Sequence, residues 1–520
     1  MEVEIISEEL IKPSLPTPPH LTTFKLCLLD QLIPAPYAPI VLYYPNLDPS
    51  YTHHQILQSL LLLKRSLAET LTRFYPLAGV INDADDLSIH CNDHGAFCVT
   101  AKVNRDLCEF LGRPDLEFIS EFLPCRPSFS GSLAGTGVTS VQINVFLCGG
   151  VAIGLCVSHR IVDGSGLSSF LRSWAGTACA AAKEIVLPSF VGSSLFPAED
   201  LWLRDASMAM WGSLFKTGKC ITKRFLFDSS AIARLKTMVA ANVRHPTQVE
   251  VVSACIWKSA MQAASDQHSG KLSLLTHLVN LRKRAAPPFS EHAMGNLIWV
   301  ASAQTTRSGG DLPGLVNQIR NSISKINDDY VKRLRGEQGR NLMRKTMKDI
   351  EDFGSSNNGA AGYLGFTSWC KIGFYDVDFG FGKPVWVSLT SSTGSAVFMN
   401  LVVLMETKNG DGIEAWILDN VGRGRNAKDM YIPTSGMTSS TKSVWSTAII
   451  NLLSRSTVNL TAVDAENTKT SKPKFAPILS YQEANNEPQA IASGSIGIFS
   501  IKSCASCSSP ARPKRSIMQE

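Results

Sequence analysis

The segment CVSHRIVDG (156–164) places a histidine four positions ahead of an aspartate, at the end of an apolar run. Histidine side chains titrate near ~6.5, so His159 is chemically suited to take and return a proton at neutral pH. Asp163 stands where a helix N-cap would stand. Two readings are open on this string alone: His159 as a general base, or a hydrogen-bonded core histidine beside an ordinary cap. A second string, LGFTSWCKIGFYDVDFGFGKPVW (364–386), joins Thr-Ser-Trp to Asp-Phe-Gly-Phe-Gly; composition alone makes it a glycine- and aromatic-rich turn. His90, Cys91, His94 and Cys98 cluster in HCNDHGAFC as metal ligands do, but a strand-turn-strand reading sends them to different faces. CASC (504–507) is a lone pair of cysteines, too few for a four-ligand site. The chain has no G-x-S-x-G elbow, which argues against a serine hydrolase.

The elements that must position these groups are mixed. After a Pro-rich extended start, HHQILQSLLLLKRSLAETLTRFYP carries helical spacing at 56, 57, 60, 61, 63, 67, 68 and 71, and Pro76 ends it. VQINVFLCGGVAIGLCVSH reads as a hairpin about Gly149-Gly150, and DGSGLSSFLRSWAGTACAAAK as the helix that follows. His159 therefore belongs to a strand-to-helix turn, a place where polar side chains meet ligands. Residues 184–212 lack clear periodicity and read as a connector. Beyond it, TQVEVVSACIWKSAMQAA reads as a capped helix and KLSLLTHLVNLRKR as a strand with a basic end. LVNQIRNSISKINDDYVKRLRGEQG reads as one long amphipathic helix, GSSNNGAAG (354–362) as a flexible loop, and residues 384–418 as a three-stranded meander.

With 520 residues, 44% hydrophobic and 18% charged, the chain has the composition of a soluble protein of two or more domains. Of its 50 basic and 44 acidic residues, 12 and 6 lie in 421–520, so the first 420 residues hold 38 of each. All the net charge of +6 sits in the tail, which disfavours nucleic-acid binding by the body. The acidic start MEVEIISEELIKPS lacks the order of a signal peptide, and apolar runs such as AVFMNLVVLM (396–405) are about half a membrane span. Thirteen scattered cysteines read as reduced thiols, and the expected location is the cytoplasm. Residues 421–520, rich in Ser, Thr, Pro and Lys, read as a disordered tail, with SVWSTAIINLL as one short helix.

Taken together, the two strings resemble the plant BAHD acyltransferases, which carry HxxxD near the middle of the chain and DFGWG towards its end. The likeness runs on in family order through RFYPLAGVI, CNDHG, SLFP, VVSACIWKSAM, VNLRKRAAPP, MGN and GDGIEAW, from about residue 2 to 419. The opening residues are most similar to the vinorine-synthase-like, alcohol-acetylating branch. The resemblance implies an α/β fold of two chloramphenicol-acetyltransferase-like domains, with mixed sheets flanked by helices. The expected boundaries are 1–183, a crossover connector at 184–212, and 213–420, with 421–520 as an atypical tail. A solvent channel between the domains would admit acyl-CoA from one face and an alcohol from the other, both reaching His159 as general base.

The resemblance further implies that Asp163 is a brace paired with an arginine, Arg282, rather than a relay partner. Thr367 and Trp369 are the implied oxyanion donors, the competing reading for Trp369 being a buried structural indole. Asp378, Gly380 and Gly382 form the second motif, away from the base on the CoA side. Phe381 replaces the family's Trp, which implies retained folding with weaker activity. Asn296 is a candidate channel residue; Lys258 is a candidate for CoA phosphates or a solvated helix lysine. No metal and no permanently bound cofactor are implied. The expected protein is a monomeric acyl-CoA:alcohol O-acyltransferase, using acetyl-CoA on a specialised metabolite such as an alkaloid or terpenoid. After GIEAWILDN the family pattern stops, and its closing helix is replaced by some 100 unrelated residues, as an alternative splice form or a faulty gene model would give. That departure, with Phe381, motivates the alternative of a catalytically impaired, ligand-binding relative.

Overall fold

The computed structural model describes residues 1–420, apart from residues 35, 47–52, 83–86, 126–135, 180–184, 199–200, 219, 264–271, 307–309, 357–361 and 392–396. The tail at 421–520 and most of the glycine-rich 354–362 loop thus lie outside the described residues. The main strands in chain order are β1 (Val3–Ile11), β2 (Tyr37–Tyr44), β3 (Ala96–Val103), β4 (Thr139–Phe146), β5 (Val151–Ser158), β6 (Cys220–Phe227), β7 (Leu272–Asn280), β8 (Ile298–Thr306), β9 (Tyr363–Ser368), β10 (Trp386–Ser388), β11 (Leu401–Glu406) and β12 (Ile413–Asn420). They build two six-stranded sheets, ordered β1-β3-β4-β5-β2-β10 and β6-β12-β11-β9-β7-β8. Both are mixed: β3 and β4 run parallel, as do β7, β9 and β11, among otherwise antiparallel neighbours.

The helices are α1 (His53–Arg73), α2 (Gly164–Ala178), α3 (Leu201–Leu214), α4 (Ser229–Val239), α5 (Gln248–Ala263), α6 (Leu312–Ser324), α7 (Asp328–Arg335) and α8 (Gly339–Ser355), with a few shorter turns between them. In α1 the buried stripe is Leu63, Leu67 and Leu71, at the four-residue spacing of one helix face, while Leu57, Leu61 and Leu62 are exposed. The apolar pattern of this segment is therefore wider than the face it buries. Trp174 of α2 ties the pair of helices together by donating its indole N–H to the Leu63 carbonyl at 3.0 Å.

β4 and β5 form the expected hairpin, paired from Val145–Val151 down to Thr139–Val157. Every residue of β5 is buried, as a central strand covered on both faces requires. Gly154 has a packing reason to be glycine: a Cβ there would lie 2.0 Å from the Phe122 carbonyl oxygen.

Three expectations are corrected. Residues 201–212 of the supposed connector are helical, in a helix that runs on to Leu214; its sequence is apolar on nearly every face, which hides the helical period. Its Ser207 hydroxyl and Trp211 indole both donate to the Leu32 carbonyl, at 2.6 and 2.9 Å. The long helix at 315–339 is two helices, since Asn327 caps α7 by accepting the Tyr330 N–H at 3.0 Å, and Asp328 and Asp329 favour a helix start. The meander does not exist as one: β11 and β12 pair with each other, but β10 crosses to the first sheet and pairs with β2.

That crossing matters for the site. Trp386 of β10 stacks on Tyr43 of the first sheet at 5.0 Å and on Trp416 of the second at 6.2 Å. Its indole N–H lies 3.2 Å from both oxygens of the buried Glu414 carboxylate. A division of the chain by sequence order consequently does not coincide with the division into sheets at this strand.

Candidate active site

The two sheets meet where the turn after β5 faces the end of β9. His159 occupies that turn, between Ser158 and the helix that starts at Gly164. Its backbone is held on both sides: its N–H donates to the Pro36 carbonyl at 2.9 Å, and its carbonyl accepts from Asn296 Nδ2 at 2.7 Å. Asn296 is itself fixed by the buried Asp30, whose Oδ1 accepts from the Asn296 backbone N–H at 2.6 Å and from Nδ2 at 3.0 Å. Burial raises the Asp30 carboxyl above its usual range, against the pull of the Cys27 and Asn296 donors. Sequence reasoning missed Asp30; the signal was an acid alone in the apolar run LCLLDQL, since such groups are buried only when partnered.

The imidazole of His159 lines a cavity of about 1010 Å³. Its Nδ1 is buried with no hydrogen-bond partner among the described residues, which leaves Nε2 as the nitrogen that reaches the cavity. Asp163 does something else. It caps α2, its Oδ1 accepting the Gly166 N–H at 2.9 Å, and it meets Arg282 through two hydrogen bonds of 2.7 and 3.0 Å. Arg282 is 1% exposed and also donates to the carbonyls of Ala293 and Gly295, so a buried charge pair is fully hydrogen-bonded. Neither carboxylate oxygen bonds to His159.

Across the cavity, β9 carries Thr367, held opposite Val403 of β11, and Trp369 follows, its backbone N–H donating to the Leu404 carbonyl at 2.7 Å. The Trp369 ring packs on Phe374 at 5.3 Å and against the start of α2, where a Cβ on Gly164 would sit 3.3 Å from the indole nitrogen. Both residues line the cavity, and neither the Thr367 hydroxyl nor the Trp369 indole N–H has a partner among the described residues. A base and two free donors, brought from different sheets, thus border one space.

The second motif lies elsewhere. Asp378 Oδ1 accepts the backbone N–H groups of Gly380 and Gly382, at 2.8 and 3.0 Å, and both glycines have positive φ, +101° and +98°. Phe381 meets Tyr44 edge-on at 5.0 Å, Phe379 meets Trp174 at 4.8 Å, and the Tyr44 hydroxyl donates to the Val377 carbonyl. The motif is a clasp that docks the segment ahead of β10 onto the first sheet. Because only glycine adopts this backbone without strain, Gly380→Ala is expected to cost about 1 kcal/mol or more of stability. Chemical denaturation would show that loss, while kcat per folded molecule stays near wild type.

The two candidates for the cofactor side are placed away from the cavity surface. Asn296 is fully buried and braces the His159 backbone, and Lys258 stands on α5, its charge felt by Cys255. The cavity's cations are Arg172, Lys283, Arg284 and Lys371 instead. The RKR run at 282–284 held that information, but one member braces Asp163 and only its neighbours offer charge to a ligand. In HCNDHGAFC, His90 is exposed while Cys91 and Cys98 are buried, and no group of three or more His, Cys, Asp or Glu among the described residues is arranged to hold a metal ion. No helix among the described residues is long and apolar enough to cross a membrane.

Comparison with known proteins gives this geometry its relatives. The chain is 42% identical over 429 residues to the epi-neemfruitin B 7-O-acetyltransferase of Melia azedarach, across 80% of this chain and 94% of that one. It is 38% identical over 430 residues to the stemmadenine O-acetyltransferase of Catharanthus roseus, with the same coverage. The crystal structure of vinorine synthase matches with a TM-score of 0.67 at 33% identity, covering 81% of this chain and 95% of the other, and shares its two-domain, chloramphenicol-acetyltransferase-like α/β fold. The model of the Transferase family matches residues 1–420, and the chain belongs to that family, the BAHD acyltransferases.

Proposed function

We propose that the chain transfers an acetyl group from acetyl-CoA to a hydroxyl of an alkaloid or terpenoid, with His159 as general base and without an acyl-enzyme. The observation that carries this reading is the shared cavity: Nε2 of His159 is open to it, and the free Thr367 and Trp369 donors border it from the other sheet. The activities of relatives, O-acetylation of a limonoid and of stemmadenine, support the acetyl group and the acceptor class.

The chemistry follows from the residue types. Nε2 accepts the acceptor's hydroxyl proton as the oxygen attacks the thioester carbonyl, a task in which a positioned base is typically worth ~10²–10⁴-fold. The carbonyl oxygen becomes an oxyanion, and the Trp369 N–H and Thr367 O–H stabilise it. Collapse breaks the C–S bond, and the imidazolium returns the proton to the departing thiolate. The ester and free CoA leave, and the histidine is neutral again. Acyl-CoA is a co-substrate in this scheme, and no cofactor stays bound. The Asp163–Arg282 pair acts only by holding the turn. We place the enzyme in the cytosol as a monomer.

The test is incubation of the full chain with labelled acetyl-CoA and a panel of hydroxylated limonoids and indole alkaloids. Labelled ester and free CoA are expected in equal amounts. Binding of CoA with no ester from any acceptor would instead favour a ligand-binding relative without turnover.

A further inference from the structure

The balanced charge of the first 420 residues is not evenly spread. They hold 38 basic and 38 acidic side chains, yet residues 331–348 alone hold seven Lys and Arg against one acid, Glu337. This run ends α7 and opens α8, and all seven cations are exposed. On α8, Arg340, Arg344 and Lys348 recur every four residues along one outward face, because Met343, Met347 and Ile350 bury the opposite one. Lys332 and Lys348 are matched within their own helices, by Asp328 and by Asp352 with Glu351. Arg333, Arg335, Arg344 and Lys345 form no ion pair among the described residues.

The same face carries apolar surface. The Arg344 guanidinium lies 3.7 Å over the ring of Trp202, which ties α8 to the outer side of α3. That side presents Trp202, 48% exposed, and Met208, 39% exposed, with Ala209, Gly212 and one acid, Asp205. Leu203, Ser207, Met210 and Leu214 already bury the inner side of this helix, so the core does not use Trp202 or Met208. Exposed cations beside an exposed indole suit the boundary between lipid headgroups and acyl chains, where Lys and Arg meet phosphate and Trp rests at headgroup level. A single-stranded nucleic acid needs open aromatic faces on which bases stack. Here Trp202, Tyr330 and Phe289 are each covered by an arginine, Arg344, Arg333 and Arg335, at 3.7, 5.6 and 5.6 Å.

We propose that the outer face of α3 and α8, with the end of α7, docks on an anionic phospholipid surface, Arg344 and Lys345 meeting headgroup phosphates and Trp202 settling among the headgroups. The contact is peripheral and spans nothing. Asn327 and Asp328, at the start of α7, line the cavity that holds His159, so docking keeps that cavity beside a reservoir of apolar alcohols. The inference goes beyond the acyl-transfer reading and does not rest on it.

Co-sedimentation of the full chain with vesicles tests it, using phosphatidylcholine alone and phosphatidylcholine mixed with phosphatidylserine. Wild type is expected to sediment with the mixed vesicles at low ionic strength, to be released by salt, and to stay in solution with phosphatidylcholine alone. Arg344→Gln with Lys345→Gln should lower the partition coefficient about 30-fold, the scale of two cations lost from an anionic surface. Arg344→Lys with Lys345→Arg keeps both charges and should bind like wild type, while Trp202→Gln should weaken binding several-fold. These side chains are exposed, so all the variants should melt near wild type and bind CoA as it does. Wild type that ignores the mixed vesicles, or binds both kinds equally, overturns the proposal. Binding that the double glutamine variant leaves unchanged overturns it too, and assigns the contact to another basic segment such as residues 421–520. Capture of a single-stranded oligonucleotide without capture of vesicles would do the same in favour of nucleic acid, and loss of CoA affinity in the double variant would assign these cations to the donor instead.

Discussion

His159→Ala is expected to lower kcat by about 10²–10⁴-fold, the range lost when a positioned base is removed. The Kd for CoA should stay within a small factor of wild type, because the imidazole is asked to act on the proton and not to hold the donor. The backbone at 159 is fixed from outside, by Pro36 on one side and Asn296 on the other, and neither bond needs the side chain. The variant should therefore fold normally, and its loss should be visible as an absence of thiol release at saturating acetyl-CoA. A core histidine with no chemical part would give the opposite result, a weakened fold with turnover largely kept. The comparison of unfolding midpoint with kcat separates the two readings in one pair of measurements.

Asp163→Ala is expected to act on the fold first. It leaves Arg282, 1% exposed, without its counter-charge, and breaking such a pair costs about 3–5 kcal/mol. The lost helix cap adds about 1 kcal/mol. Soluble yield and urea stability should both drop sharply. Asp163→Asn keeps an acceptor for the Gly166 N–H and should lose less. Replacing both partners with apolar residues, Asp163→Leu with Arg282→Met, should recover part of the stability, since no unpaired charge remains. In every variant that folds, kcat should fall far less than in His159→Ala. A loss of kcat in folded Asp163→Asn equal to that of His159→Ala would show a relay role and overturn the brace.

Much of the local structure was legible because local rules decide it. The β4–β5 hairpin announces itself by two apolar runs about a double glycine, and α2 by helical spacing behind an aspartate cap. Where apolar residues also sit on the exposed face, the pattern disappears: α3 buries one stripe, Leu203, Ser207, Met210 and Leu214, but leaves Trp202 and Met208 exposed, and so hides as a connector. Where one polar residue inside an amphipathic run starts a new helix, as Asn327 does, spacing alone joins what the chain separates. The single strand of β10 looks like its two successors, and nothing local says that it belongs to the other sheet; its stacking between Tyr43 and Trp416 decides that.

The same division holds for the site. Chemical identity was readable from the sequence by itself: a histidine on a strand-to-helix turn, a Thr-Ser-Trp string, a glycine motif, and an ordered likeness to one family over 2–419. Which nitrogen of His159 is open, which atom Asp163 grips, and that Asn296 and Asp30 brace the turn from behind are matters of tertiary placement. These properties depend on atoms that lie more than a hundred residues apart in the chain, such as the 2.7 Å bond from Asn296 to His159. Residue type and spacing determine what a side chain is able to do, because those are covalent and local properties. Burial, hydrogen-bond partners and a shared cavity decide which of those abilities is used, and they arise only when the two sheets pack together.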